Sequence, residues 1–193
     1  MNKAVFFDRD GTLIEEVNYL KKKEEISLFP ETIKALRNLK KSGFLNIIIT
    51  NQSGIARGYL SEDDLSAIHS ELRKMLTENE SELIDSIYYS PYHKDGIIEK
   101  YKTDSDLRKP NTGMIRKAAE DHDINLDESF FVGDSFNDML CAENAGLKKI
   151  LVKTGYGKND YGKCIENNLM PDYFAGDIFE ASEYILNSEN HTE

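Results

Sequence analysis

The alternation of short apolar runs with helical stretches constrains the fold more than any other feature of the chain. Runs that suit buried strands lie at 4–7, 45–50, 84–89, 129–132 and 149–152. Between them, apolar residues recur three and four positions apart, which is the spacing of one helix face. Strands that alternate with helices are typical of βαβ units. We therefore predict an α/β fold, namely a Rossmann-like doubly wound, mostly parallel sheet with helices on both faces.

Local signals indicate where several helices begin and end. Ser61 followed by Asp64 is the pattern of a capping box ahead of a helix. Gly146 is placed to end another helix in the left-handed conformation. Asp177 is predicted to cap a final helix that ends at Tyr184.

The predicted elements account for a single domain over residues 1–186, followed by a polar tail at 187–193. An irregular loop segment at 90–108 is inserted between the third strand and the next helix. The intervals 8–50 and 50–109 are largely filled by predicted core elements, so neither leaves room for a separate cap domain. A site at the edge of this sheet would be open and covered only by loops.

The chain is acidic, with 35 Asp and Glu against 24 Lys and Arg and a formal net charge of −11. Such a surface repels nucleic-acid phosphates and anionic lipids. No signal peptide is visible, and no apolar run approaches the roughly 20 residues of a membrane span. We expect a cytoplasmic monomer that binds a small molecule, with neither nucleic acid nor membrane as a partner.

The two cysteines, Cys141 and Cys164, lie in no CxxC pattern, which argues against zinc ligation by them. Their small number agrees with a reducing compartment. Cys141 falls in a helical stretch and is predicted to be a small core residue. Cys164 falls in a polar stretch and is predicted to be exposed.

Polar and charged residues collect where the predicted strands end. Asp8 and Asp10 follow the first strand, Thr50 ends the second and Asp134 follows the fourth. Open α/β sheets bind ligands beyond the carboxyl ends of their strands. Carboxylates at such a place suit Mg²⁺, which prefers oxygen ligands. Lys109, just ahead of a helix, offers a fixed positive charge for a phosphoryl group.

Each of these features has a simpler structural explanation when it is taken alone. Asp8 and Asp10 suit an Asx turn, and Thr50 and Asp134 suit caps. Lys109 suits a solvated surface. Their joint arrangement favours a binding site instead, because all of them lie at one predicted edge of the sheet.

These strand ends resemble the motifs of the haloacid dehalogenase superfamily of phosphotransferases. Residues 6–12 match its first motif, 49–51 its second, 109–110 its third and 132–138 its fourth. The match covers most of the chain, and the set of four motifs is highly specific. Within the superfamily, the run Asp-Arg-Asp-Gly-Thr and the run Thr-Asn-Gln-Ser-Gly-Ile-Ala-Arg-Gly resemble one narrower group. That group holds the D-glycero-D-manno-heptose 1,7-bisphosphate phosphatases and the histidinol-phosphate phosphatases.

The resemblance implies a phosphomonoester hydrolase that works through an aspartyl-phosphate intermediate. Asp8 would be the nucleophile, and Asp10 would act as general acid and then as general base. An Asp at this second position, rather than the Thr of ion-pumping relatives, favours a phosphatase. Mg²⁺ would be held by a carboxylate oxygen of Asp8, the backbone carbonyl of Asp10 and the carboxylate of Asp134.

The resemblance also implies a phosphate cradle and a set of substrate contacts. Thr50 and Lys109 would complete the cradle, while Asp138 would orient the Lys109 ammonium or a metal-bound water. The positions that align with substrate contacts of the family are Glu16, Tyr19, Asn51, Gln52, Ser53, Arg108 and Ser135.

One departure from the family pattern concerns zinc. Relatives in the narrower group often hold a structural zinc in the loop before the third motif, with three cysteines and a histidine. Here the corresponding stretches, 90–93 and 104–108, contain no cysteine. His93 alone cannot complete a tetrahedral zinc site. We predict that no structural zinc is bound and that other contacts order the loop.

Four functions are compatible with these observations. The leading prediction is a sugar phosphatase that removes the 7-phosphate of a heptose 1,7-bisphosphate. The alternative is a histidinol-phosphate phosphatase, in which Glu16 or Glu15 would face the cationic imidazole arm of the substrate. A DNA 3′-phosphatase is disfavoured by the net charge of −11. A non-catalytic binding protein is disfavoured because all the expected chemical groups are present.

Overall fold

A single parallel sheet forms the centre of the molecule, in a computed structural model that describes residues 1–189. Its strand order is β5-β2-β1-β6-β7-β8, and all five pairings are parallel. A short antiparallel hairpin, β3-β4, lies outside this sheet. The strands are β1 (Lys3–Phe7), β2 (Phe44–Asn51), β3 (Thr77–Glu78), β4 (Ser81–Glu82), β5 (Ser86–Ser90), β6 (Phe130–Gly133), β7 (Lys148–Val152) and β8 (Tyr173–Ala175).

Helices cover both faces of the sheet, as predicted. They are α1 (Thr32–Lys41), α2 (Glu62–Met75), α3 (Gly113–His122), α4 (Phe136–Ala145), α5 (Gly157–Glu166) and α6 (Ile178–Glu189). Alternate residues of β1 explain the two layers: Val5 and Phe7 pack with α1, α2 and α6 in one core cluster. Ala4 and Phe6 pack with α3 and α4 in the other. The doubly wound α/β prediction is confirmed.

The capping signals read from the sequence agree with the structure. Ser61 and Asp64 form a reciprocal capping box at the start of α2. Gly146 ends α4 with a φ of 74°, in the left-handed region that glycine adopts without strain.

The carboxyl-terminal third of the chain holds two elements that were not predicted, α5 and β8. Helix α5 contains Gly157 and Gly162 among polar residues, and β8 spans only three residues, so neither carries a strong periodic signal. Cys164 lies on the inner face of α5 and is fully buried against Met139 and Leu151. The predicted exposure of Cys164 is therefore wrong, whereas Cys141 is a buried core residue as expected.

The last helix is longer than predicted. It continues past Tyr184 to Glu189, whose carboxylate pairs with Lys3 at the start of β1. Residues 187–189 thus belong to the helix, and the rest of the predicted tail, 190–193, lies outside the described residues. Within residues 1–189 no helix has the length and apolar character to span a bilayer.

The irregular segment 91–108 is tied to the domain by hydrogen bonds. The backbone N–H groups of Ile97 and Ile98 donate to the carbonyl of Ala56, at 2.8 and 3.0 Å. The Tyr101 hydroxyl donates to Glu62 at 2.7 Å. These contacts provide the alternative ordering that was predicted for this loop, and the absence of zinc stays a prediction.

Candidate active site

Two carboxylates converge on one buried ammonium at the carboxyl edge of the sheet. Asp8 directly follows the central strand β1, and Lys109 precedes α3. The Lys109 Nζ lies 2.8 Å from Asp8 Oδ1 and 2.5 Å from Asp138 Oδ1. Burial lowers the pKa of Lys109, but the two carboxylates more than offset this and raise it above its ordinary value. The lysine is thus a permanent positive charge beside Asp8.

Asp138 belongs both to this cluster and to the start of a helix. Its Oδ2 accepts hydrogen bonds from the Ser135 N–H at 3.1 Å and the Ser135 hydroxyl at 2.6 Å, which completes a capping box for α4. Its other oxygen faces Lys109. The contact with Lys109 agrees with the predicted orienting role of Asp138. Ser135, predicted to contact substrate, is used here as a helix cap.

The residues that end β2 support Lys109 and Asp10. The Asn51 amide donates to the Lys109 carbonyl at 3.1 Å and accepts from the Lys109 N–H at 3.0 Å. Gln52 Nε2 donates to the Thr50 hydroxyl at 2.9 Å and to Asp10 Oδ2 at 3.0 Å. Asn51 therefore fixes the main chain at Lys109, and Gln52 links the predicted cradle residue Thr50 to the predicted general acid.

A third carboxylate, Asp134, completes a group that is able to hold a cation. Oxygens of Asp8, Asp134 and Asp138 all lie within 4.8 Å of one another. Burial and the neighbouring carboxylates raise the pKa of Asp134 to about 9, and burial raises that of Asp8 to about 7. These values indicate negative charge that lacks compensation in the protein alone.

The surroundings of Asp134 leave space for its carboxylate and little else. A Cβ atom at Gly11 or Gly155 would collide with it. The Tyr156 backbone N–H donates to its Oδ2 at 2.8 Å. An all-oxygen donor set with uncompensated negative charge fits a hard divalent cation such as Mg²⁺. We refer to Asp8, Lys109, Asp134 and Asp138 as the carboxylate–lysine cluster.

Asp10 is oriented by its neighbour in sequence. Arg9 Nη2 donates to both Asp10 oxygens, at 2.9 and 3.0 Å, and Arg9 Nε lies 3.1 and 3.3 Å from the same atoms. This is a two-point fork between guanidinium and carboxylate. The Arg9 side chain is 1% exposed, so the fork is anchored in the core.

Two adjoining cavities lie beside these groups. The first, of about 200 Å³, has among its lining residues Asp10, Glu16, Tyr19, Asn51, Gln52 and Ser53. The second, of about 140 Å³, has among its lining residues Asp8, Asp10, Glu16, Lys109, Asp134, Ser135 and Tyr156. The predicted substrate contacts other than Arg108 are thus brought together with the predicted catalytic groups.

The loop that carries Tyr19 is held in an unusual conformation. Asn18 and Tyr19 have φ values of 49° and 71°. The Asn18 N–H donates to Glu16 Oε1 at 2.6 Å, and the Tyr19 ring meets the Tyr59 ring edge-on at 4.8 Å. Consecutive residues in the left-handed region are uncommon outside glycine and are often found at functional sites.

Arg57, His93 and Arg108 form a second charged group, which we call the cationic rim. Arg57 Nη2 lies 3.2 Å from His93 Nε2, and the buried Arg57 Nε has no hydrogen-bond partner among the described residues. Burial and the positive charge of Arg57 lower the pKa of Arg108. Arg108 and His93 line a cavity of about 310 Å³ together with Lys109. Asp104 lines the same cavity, but its charge offsets only part of the effect of burial and of Arg57 on Arg108, so the rim is a positively charged region next to the carboxylate–lysine cluster.

Several of these residues were missed from the sequence. Tyr156 follows β7, so the rule that sites lie at strand ends could have found it. Arg57 lies in the run 50–58, which carries a resemblance to the family, but its charge alone does not indicate a site. His69, which contacts Arg9 from α2, lies on an otherwise ordinary helix face.

The fold and the site define the class of protein as an α/β phosphotransferase. An aspartate at the end of its central strand lies within reach of a lysine and of a group of carboxylates that is able to hold a cation. The model of the HAD-hydrolase-like family matches residues 106–181. The D-glycero-D-manno-heptose-1,7-bisphosphate 7-phosphatase of Thermosynechococcus vestitus is 39% identical over 185 residues, which is 94% of each chain. The D-glycero-beta-D-manno-heptose-1,7-bisphosphate 7-phosphatase of Haemophilus influenzae is 42% identical over 171 residues, which is 88% of this chain and 92% of that one.

Solved structures agree with these sequence relationships. The D,D-heptose 1,7-bisphosphate phosphatase from B. bronchiseptica, complexed with magnesium and phosphate, superposes with a TM-score of 0.83 at 28% identity. The alignment covers 96% of this chain and 99% of that one. The chain belongs to the haloacid dehalogenase superfamily of phosphatases, and within it to the family of these bisphosphate phosphatases. The predicted family and fold are confirmed.

Proposed function

We propose that this protein removes the 7-phosphate of D-glycero-D-manno-heptose 1,7-bisphosphate. The observation that carries the proposal is the Asp8–Lys109–Asp138 arrangement, found in a chain that is 39% identical over nearly its whole length to a phosphatase of that name. The relatives compared above favour this substrate over histidinol phosphate.

The reaction proceeds in two displacements. An Asp8 oxygen attacks phosphorus, the bond from phosphorus to the C7 oxygen breaks, and Asp10 gives its proton to that oxygen. Water then attacks the phosphorus of the aspartyl phosphate, Asp10 takes a proton from the water, and the bond to Asp8 breaks. Lys109 stays charged throughout, and it stabilises the phosphoryl oxygens.

The proposed cofactor is Mg²⁺, held by a carboxylate oxygen of Asp8, the backbone carbonyl of Asp10 and the carboxylate of Asp134. When bound, it supplies positive charge that reduces repulsion between the Asp8 carboxylate and the phosphate. The uncompensated negative charge around Asp134 supports this assignment.

The cationic rim supports a bisphosphate substrate. Arg57 and Arg108 lie close enough for Arg57 to lower the Arg108 pKa, and a second phosphate would relieve that repulsion. A histidinol phosphate would bring a cation to the site instead. Glu16, the suggested partner for such a cation, already accepts a hydrogen bond from its own loop.

We further propose that the enzyme acts as a cytoplasmic monomer of one domain, which includes α6 to Glu189, without a nucleic-acid or membrane partner. The net charge of −11 argues against a nucleic-acid or anionic membrane partner, and the continuous six-stranded sheet supports a single domain. Light scattering during size-exclusion chromatography tests the monomer, and a single unfolding transition tests the domain.

A substrate panel tests the proposed activity. Both anomers of the heptose bisphosphate, histidinol phosphate and a 3′-phosphorylated oligonucleotide are compared by kcat/KM with Mg²⁺ present. We expect kcat/KM for the heptose bisphosphate to exceed kcat/KM for histidinol phosphate by more than tenfold, because the rim offers about two charged hydrogen bonds to the second phosphate. A preference for histidinol phosphate would overturn the substrate assignment.

A further inference from the structure

His69 is a largely buried histidine that the mechanism above does not use. It lies on α2, outside every motif of the sequence, and its Nε2 lies 3.1 Å from Arg9 Nη1. The opposite side of the same guanidinium binds Asp10 through Nε and Nη2. A continuous chain of side-chain contacts therefore runs from α2 through Arg9 to the carboxylate of Asp10.

The chemistry of this contact fixes the state of the imidazole. A guanidinium nitrogen only donates, so His69 Nε2 must accept and the ring must be neutral, with its proton on Nδ1. Burial and the positive charges of Arg9 and Arg73 lower the pKa of His69 to about 3, in agreement with a neutral ring. The ring is braced edge-on against Tyr89, with the centroids 5.8 Å apart.

We infer that His69 is a positioning residue for Asp10, because it holds the Arg9 guanidinium in the orientation that aims the Asp10 carboxylate. This inference rests on the proposed phosphatase mechanism, in which Asp10 is the proton donor and acceptor. Arg9 Nε and Nη2 contact Asp10, whereas Nη1 contacts His69, so the two partners hold opposite sides of one guanidinium. Gln52 supplies the only other hydrogen bond to the Asp10 carboxylate in the described part of the chain.

The test uses p-nitrophenyl phosphate, because its phenolate leaves without being protonated. Formation of the aspartyl phosphate then needs Asp8 but no proton from Asp10, whereas hydrolysis of the intermediate still needs Asp10 as a base. The variant His69→Phe keeps a ring against Tyr89 and removes the acceptor. We expect its kcat to fall about 10- to 100-fold while kcat/KM for this substrate stays within about twofold.

Three further variants make the result specific. His69→Gln restores an acceptor for Arg9 and should recover most of the wild-type kcat. Arg9→Lys keeps the charge but loses the fork, so it should lower kcat in the same way as His69→Phe. The matched control His122→Phe removes a histidine that contacts Ser86 at 2.7 Å, away from the site, and should leave kcat unchanged.

Two outcomes would overturn the inference. One is a fall in kcat/KM for p-nitrophenyl phosphate as large as the fall in kcat, since that indicates general damage to the site. The other is a folded His69→Gln variant as impaired as His69→Phe. Because p-nitrophenyl phosphate is not the natural substrate, the heptose assignment can fail without affecting this inference. The inference itself fails if the Asp10 carboxylate keeps its orientation in the absence of His69.

Discussion

The carboxylate–lysine cluster and the cationic rim are adjacent regions whose electrostatic environments are opposite. In the cluster, a buried ammonium lies between two carboxylates at 2.8 and 2.5 Å. In the rim, burial and the positive charge of Arg57 lower the pKa of Arg108, and Asp104 offsets this only in part. The cluster pairs its lysine with carboxylates of the protein and retains negative charge for a cation, so it suits chemistry that is common to all phosphate esters. The rim is left for the ligand to neutralise, so it suits selection among esters.

The two regions also differ in what holds them. Asp8 and Asp134 follow strands β1 and β6, and Asp138 lies in the first turn of α4. Arg108 and His93 lie in the segment 91–108, which is held by scattered hydrogen bonds. A site built on strand ends is rigid, whereas a site built on loops changes more readily between relatives.

The largest expected effect comes from removing the nucleophile of the cluster. Asp8→Asn should lower kcat by at least ~10⁴-fold for every phosphate ester, because the amide forms no acyl phosphate. Stopped-flow assays with p-nitrophenyl phosphate measure it. The same substitution at Asp63, exposed at the start of α2, should leave kcat unchanged. An active Asp8→Asn enzyme would contradict the mechanism for every substrate.

The rim should affect binding of a second phosphate and not the chemical step. Arg57→Met or Arg108→Met should raise KM for the heptose bisphosphate about 10- to 100-fold, as expected for loss of a charge-assisted hydrogen bond. KM for a heptose 7-monophosphate should change much less. Arg116→Met, which removes an exposed arginine on α3, provides the control. An equal increase in KM for both substrates would contradict a separate role of the rim in binding the second phosphate.

Mg²⁺ should weaken the pH dependence of stability that the cluster creates. Without metal, the folded-state pKa values of Asp134 and Asp8, about 9 and about 7, exceed the unfolded value of 3.8. The folded protein then binds more protons than the unfolded chain, so the free energy of unfolding falls as pH rises through this window. Bound Mg²⁺ replaces those protons.

Thermal unfolding between about pH 5 and pH 9 measures this effect. Metal-free protein should lose Tm toward high pH, and Mg²⁺ should raise Tm more at the alkaline end. Asp134→Asn should weaken both the pH dependence and the response to Mg²⁺. A Tm increase with Mg²⁺ that is the same at all pH values would argue against a metal held by Asp134.

The smallest effect is expected from a zinc-selective chelator. The segment 91–108 is held by contacts such as those of Ile97 with Ala56 and Tyr101 with Glu62. Since none of these depends on a metal, the chelator should leave Tm and kcat unchanged, and metal analysis should find no zinc in the purified protein. A drop in Tm on addition of the chelator would indicate that zinc is bound in the segment 91–108.

The contrast between strand ends and loops explains which residues of the site could be predicted from the sequence. Asp8 and Asp134 were found because parallel strands end at one edge, so short-range patterns locate long-range neighbours. Lys109 was found from its place just ahead of a helix and from its match to the third motif of the family. Arg57 and Tyr156 were missed because loop geometry, which decides where their side chains and backbone groups lie, has no periodic signal. His69 was missed for a further reason: its partner Arg9 is buried, which is rare for arginine and cannot be read from composition.

The elements that were not predicted, α5 and β8, were missed for local reasons as well. Helix α5 is largely polar and strand β8 spans only three residues, and their burial depends on packing against α4 and β7 rather than on their own pattern. Cys164 was predicted to be exposed for this reason. The final helix extends to Glu189 because an ion pair with Lys3 extends its contact with the sheet.

The double use of Asp138 has a consequence for how the chain tolerates mutation. One of its oxygens starts α4 and the other holds Lys109, so a substitution there removes a helix cap, worth about 1 kcal/mol, and also leaves the buried ammonium with Asp8 as its remaining carboxylate partner. Such a loss lowers the amount of folded protein in a cell as well as its turnover. In a library of variants scored separately for abundance and for activity, substitutions at Asp8 and at Asp138 would both be lost from the activity screen, and those at Asp138, which also remove the helix cap, would be depleted more strongly in the abundance screen.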